Sequence, residues 1–170
     1  RDSILGIRDA IALGILLTIG VLVVFLRDAR AGLLAALSVP TTLVATFLAM
    51  DLAGETLNLM SLGGMAVAIG LVIDDAVVVV ESIVRRLERG EVPRTAVEGG
   101  LSESLSPVIG TTVTTVVVFV PLGFLSGLVG TFFEALAVTL ASAVLVSMVF
   151  ALVVLPLLAA RLLKARPQPG

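Results

Sequence analysis

Two adjacent aspartates, Asp74 and Asp75, stand inside the stretch GLVIDDAVVVV, residues 70–80, whose other members are apolar or glycine. A charged side chain at mid-membrane costs at least about 2.5–3.5 kcal/mol on insertion scales. Two ionised neighbours cost more, because they repel each other and lack water. Such a pair responds by holding a proton or by finding a buried cation. A carboxylate that gains and loses a proton is a reversible proton carrier, and two interacting carboxylates titrate as a coupled pair. On a helix the two lie about 100° apart, so at least one must face neighbouring helices. The structural alternative is that one of them caps a broken helix or forms a static salt bridge. No other apolar run holds a Lys or Arg within it. A cationic partner therefore has to come from another part of a longer chain or from another subunit.

Residues near the pair extend the possibilities. Gly63, Gly64, Ala66, Ala68, Gly70 and Ala76 surround it with small side chains. These serve generic helix packing in lipid, or they let a neighbouring cation approach Asp74. Glu81 lies seven residues beyond Asp74, on the same helix face, and is either a proton exit group or an ordinary interfacial charge. Thr111, Thr112, Thr114 and Thr115 either bond back to their own helix or line a polar path. Met50, Met60, Met65 and Met148 are too scattered for a soft-metal ladder and read as packing residues. The chain has no histidine and no cysteine. That removes the usual metal ligand and proton shuttle, leaves no disulfide or thiolate chemistry, and assigns any proton chemistry to carboxylates. Neither a cofactor nor a metal is expected.

The elements that must hold these residues are apolar helices. Of 170 residues, 58% are hydrophobic and 14% charged, and the mean hydropathy is +1.18; a soluble domain is nearer half apolar. The net charge of −2 gives no sign of a nucleic-acid partner. A spanning helix needs about 20 mostly apolar residues. Five runs approach that length, at 10–26, 32–50, 59–80, 106–125 and 133–160, the second with Pro40 inside it. The fold expected is all-α: a polytopic membrane bundle of five transmembrane helices plus short interfacial helices. Residues 1–9 are expected as an outer interfacial helix, 10–160 as the five-helix block, and 161–170 as a cytoplasmic tail. Between the third and fourth runs, Gly90 stops one helix. Pro93 and Thr95 start a short amphipathic one, and the chain re-enters the membrane at SPVIG.

Loop charge sets the orientation. Arg27, Arg30, Arg85, Arg86, Arg89, Arg94, Arg161, Lys164 and Arg166 fall on one side, nine basic residues against Arg1 and Arg8 on the other. The opposite loops hold Asp51, Glu55 and Glu134 and no basic residue. This places the C-terminus in the cytoplasm and the N-terminus outside. The start at Arg1, without a signal-like segment, and the ARPQPG end read as a piece of a longer chain.

GGMAVAIGLVIDDAVVVVESIVRRLERG, residues 63–90, resembles the signature helix of resistance–nodulation–division (RND) transporters, in their hydrophobe/amphiphile, or drug-efflux, branch. Residues 25–50 and 106–163 resemble neighbouring helices of that family, so the likeness covers nearly the whole chain. It implies membrane helices 2–6 of the N-terminal half of a bacterial inner-membrane antiporter. It further implies Asp74 and Asp75 as proton relay, Glu81 as a candidate for proton exit, and Gly63, Gly64 and Gly70 as helix packing at the relay. The missing second half would supply a lysine partner, and a periplasmic domain of the same parent chain would precede this block. A homotrimer, an adaptor and an outer-membrane channel also belong to the family picture. Ser82 stands where that signature commonly has asparagine. The heavy-metal branch usually lacks the full aspartate pair, which argues against metal export. The alternatives are a proton-driven motor for protein export or lipid transfer in the same superfamily, or an inactive scaffold.

Overall fold

The computed structural model describes residues 20, 29–52, 54 and 58–163. The expected outer helix at 1–9, the first apolar run at 10–26 apart from Gly20, Glu55 and the tail from 164 onward lie outside these residues. The described chain is built of helices: α1 (Ala29–Leu52), α2 (Leu59–Glu88), α3 (Pro93–Phe119), α4 (Gly127–Val149) and α5 (Leu155–Leu162). A 3₁₀ turn, Val120–Phe124, extends α3, and a π turn, Phe150–Val154, joins α4 to α5.

Local chemistry fixes most of the boundaries. Asn58 caps α2: its side-chain oxygen accepts from the Met60 and Ser61 amides, both at 2.9 Å, while the Ser61 hydroxyl accepts from the Asn58 amide at 2.8 Å. This reciprocal box satisfies donors that a helix start otherwise leaves open. At the other end Gly90 turns with φ +84°, a conformation glycine takes without steric cost. Pro93 then opens α3, where a missing amide hydrogen costs nothing. The short amphipathic helix and the membrane run beginning at Ser106, expected as separate elements, are one continuous helix instead. Pro107 lies inside it and removes a single backbone donor, a loss that a packed helix bundle tolerates. One turn on, Thr111 Oγ1 bonds back to its own helix, donating to the Pro107 and Val108 oxygens at 3.1 and 3.0 Å.

Three rods are long and apolar enough to cross a bilayer: Arg30–Leu52, Pro93–Phe124 and Val129–Leu162. Their outward faces stay apolar, with Leu33, Val44 and Leu48 on α1 and Val113, Val117 and Val118 on α3 all exposed. A helix apolar all round belongs in lipid rather than at a water surface. α2, with the acid pair, is not among these three. It is 30 residues long and packs against α1, α3, α4 and α5, so it forms the axis of the bundle. Five spanning helices were expected; the described residues contain these three rods and α2.

α1, α2, α3 and the rod formed by α4 and α5 alternate in direction. The start of α1, the end of α2, the start of α3 and the end of α5 meet in one core that includes Ala31, Leu87, Ala96 and Leu163. Arg30, Arg85, Arg86, Arg89, Arg94 and Arg161 therefore gather at that end, while Asp51 and Glu134 lie at the ends of α1 and α4 that face the other way. At the basic end Arg86 joins three segments: it bonds both oxygens of Glu91 at 2.9 Å and Glu103 of α3 at 2.7 Å. The hydrogen bond from Arg86 holds the Glu103 carboxyl below its ordinary range. Glu103 precedes the apolar part of α3, so it meets Arg86 outside the lipid-facing stretch.

α2 and α3 lie in close contact at Gly100. A Cβ there would lie 2.8 Å from Ile83 Cγ1 and 2.9 Å from the Ile83 backbone nitrogen. Backbone cannot yield as a side-chain end can, so this crossing requires glycine. Two outcomes are expected. Gly100→Ala should destabilise by about 1–3 kcal/mol through overpacking, seen as earlier thermal unfolding in detergent. Gly110→Ala, whose added methyl meets nothing within 4 Å, should be near neutral in the same assay. Because Glu103 is held low, its contribution to stability is present at neutral pH and lost as pH falls through the lowered value. Acid titration of helicity should show that step in the parent, and Glu103→Gln should remove it.

Candidate functional site

α2 carries the aspartate pair at mid-helix, and its rotation about its own axis separates their fates. Ile73, Asp75, Ala76, Val79 and Val80 face the bundle and are buried, whereas Asp74 is exposed. The 100° step between neighbours thus places one carboxylate inside the bundle and the other on its open side. Asp75 is 6% exposed.

Two hydroxyls reach the buried carboxylate from two other helices. Ser147 Oγ of α4 lies 3.2 Å from Asp75 Oδ2 and also 3.2 Å from the Val72 carbonyl, one turn back on α2. Thr111 Oγ1 of α3 lies 3.4 Å from Asp75 Oδ1, farther than from the carbonyls of its own helix. Asp75 therefore sits where α2, α3 and α4 meet, facing two hydroxyl groups. No Lys or Arg among the described residues forms an ion pair with either aspartate. A cavity of about 630 Å³ opens beside the pair, between α2 and α3. Asp74, Asp75, Thr111, Thr112 and Thr115 contribute its polar wall and Leu71 and Val144 part of its apolar one.

The threonines divide. Thr114 Oγ1 donates to the Gly110 carbonyl at 2.8 Å and Thr115 Oγ1 to the Thr111 carbonyl at 2.9 Å, the back-bonded arrangement. Thr111 does this and also reaches Asp75. The Thr112 hydroxyl is buried and bonds no described residue. All four also line the cavity, so both readings of this run hold in part.

The small residues divide as well. Gly64 faces α4, where a Cβ would meet Thr139 Cβ and Cγ2 at 3.2 Å. Around Gly63 and Gly70 an added Cβ meets nothing within 4 Å. Gly63, Ala66, Gly70, Asp74 and Glu81 form an exposed line along α2 that no described helix covers. Glu81 is on this line, two turns from Asp74 toward the basic end, and does not line the cavity. Ser147 was not singled out by sequence reasoning. Its only signal was a hydroxyl within an apolar run, and its contact with Asp75 joins positions 72 residues apart.

Comparison with known proteins places this arrangement. Residues 1–170 match the model of the AcrB/AcrD/AcrF family. The chain is 41% identical to multidrug resistance protein MdtC of Photorhabdus laumondii, over 98% of its own length and 16% of that protein's. It is 40% identical to the MdtC of Pectobacterium carotovorum, over 99% of its length and 16% of the relative's. It is also 40% identical to that of Yersinia enterocolitica, over 98% and 16%. The chain spans about a sixth of the length of these relatives. A match along its full length, with an acid pair in a bundle of apolar helices, leads to one conclusion: the chain belongs to the AcrB/AcrD/AcrF family of RND efflux transporters.

Proposed function

We propose that this chain is the proton-translocating membrane part of an RND-type proton/substrate antiporter that exports drugs or other amphiphiles, with Asp74 and Asp75 as its proton relay. The observation that carries this reading is Asp75: a carboxylate buried among apolar helices, held by two hydroxyls and without a cation among the described residues. A proton carrier has to exist both with and without its charge, and neutral hydroxyls can bond either form of the carboxyl. The relatives' name, multidrug resistance protein, supports drugs as the cargo.

In this reading the block corresponds to helices 2–6 of an N-terminal half in the bacterial inner membrane. The basic end of the bundle faces the cytoplasm, as the loop-charge rule favours. A helix from the second half packs on the exposed line of α2 and sets a lysine against Asp74 and Asp75. Protons enter from outside, and each elementary charge crossing about 100 mV releases about 2.3 kcal/mol. Protonation cancels the attraction to that lysine, and the helices shift between two states. The shift drives a periplasmic domain to move substrate outward, so cargo never touches the aspartates. Glu81, about 10 Å farther along the axis, passes the proton to the cytoplasm. A homotrimer working with an adaptor and an outer-membrane channel completes the assembly.

The test uses the full-length transporter in liposomes under an imposed proton gradient. Asp75→Asn and Asp74→Asn are each expected to reduce gradient-driven export to background while substrate binding persists. Export that remains proton-coupled in both variants would refute the relay. Glu81→Gln should slow export several-fold without abolishing it.

A further inference from the structure

We propose that Ser147 is a positioning residue for Asp75: its single hydroxyl proton alternates between the Asp75 carboxylate and the Val72 carbonyl as Asp75 loses or gains a proton. This inference rests on the relay reading above and adds a member to it. A serine has one proton to donate, and two acceptors stand at an identical 3.2 Å. That distance is long for an O–H···O bond, so neither acceptor holds the hydroxyl firmly, and a change of charge on one of them decides between them.

With Asp75 ionised, a charge-assisted bond is roughly twice as strong as a neutral one. Ser147 then donates to Oδ2 and Thr111 turns from its own helix to Oδ1. When a proton arrives on Oδ2, the new carboxyl O–H donates to Ser147 Oγ, and the serine proton swings to the Val72 oxygen. Thr111 returns to the Pro107 and Val108 carbonyls. One bond to a charged acceptor is thus replaced by a two-bond chain from Asp75 through Ser147 to the α2 backbone. α4 is then fastened to the main chain of α2 as well as to the Asp75 side chain. The Ser147 carbonyl accepts from the Phe150 amide at the start of the π turn, so the swap occurs where α4 changes its winding.

Among the described residues these two hydroxyls are the groups that bond the Asp75 carboxylate, and the lysine that the proposed function adds from the rest of the transporter is common to every Ser147 variant. The charged neighbour of Asp75 on α2 is Asp74. α3 presents Thr111 and Thr112, while its Glu103 is turned to Arg86. α4 presents Ser147 and Val144, with Glu134 at its far end. The ionisable residues of α1 and α5 described here, Arg30, Asp51 and Arg161, sit at helix ends.

The experiment titrates the purified full-length transporter by difference infrared spectroscopy, with Asp75→Asn identifying the carboxylic C=O band of Asp75. Ser147→Ala is expected to move the midpoint of that band by about one pH unit toward higher pH, the equivalent of one hydrogen bond to a charged group, and to change its frequency. Ser147→Thr keeps the hydroxyl and should restore both. Ser147→Cys, a weaker donor in the same space, should give a smaller displacement in the same direction, and serves if the alanine variant does not fold. A band unchanged in midpoint and frequency in the folded alanine or cysteine variant overturns the proposal, as does a folded threonine variant that behaves like alanine. The two levels separate cleanly. If Asp75→Asn removes the band but Ser147→Ala leaves it unmoved, the serine role fails and the relay stands. If Asp75→Asn leaves export proton-coupled, the relay itself fails.

Discussion

One carboxylate in an apolar interior governs the arrangement of this bundle. Asp75 cannot be left bare, because an uncompensated charge in a low-dielectric interior is too costly, so the fold brings hydroxyls to it from both sides. At this level those hydroxyls come from α3 and α4. Around the contact, hydroxyls stand beside apolar neighbours such as Ile73 and Val144, and the buried cluster continues along α2 through Val79, Val80 and Ile83. The apolar core supplies cohesion; the site sits at its margin, beside a cavity with threonine on its wall.

The two ends of the bundle are built on different terms. At the basic end, Arg86 ties α2 to Glu91 and to α3, and Gly100 lets α3 lie directly on the backbone of Ile83. At the other end, Gly64 rests on Thr139 and the Thr139 hydroxyl approaches the Met50 sulfur at 3.6 Å. Between them, one side of α2 remains open along Gly63, Ala66, Gly70, Asp74 and Glu81. A line of small residues ending in acids suits a close helix neighbour with opposite charge, the role the proposed function gives to the rest of the transporter.

What could be read from the residues alone was local. The aspartate pair, the start of α2 at Leu59, the turn at Gly90 and the opening of α3 at Pro93 each follow from a few neighbours and their backbone preferences. The continuity of α3 through Pro107 was not legible, because packing on α2 outweighs a local breaker. The 100° between Asp74 and Asp75 was legible, but not which of them turns inward, since that depends on how the whole of α2 is rotated against α4. Ser147 could not be found this way either: nothing near it in sequence distinguishes it, and its meaning comes from Val72 and Asp75 on another helix.

The π turn at Phe150–Val154 has a mechanical corollary. It holds one residue more than an α-helix would in the same rise. Rewinding it would swivel the segment from Leu155 to Leu162 by about 100° about its axis. Leu155 and Ala159, both at 0% exposure, would leave their sockets together. The burial of those two side chains therefore opposes rewinding of the turn and helps to fix the heading of the last helix.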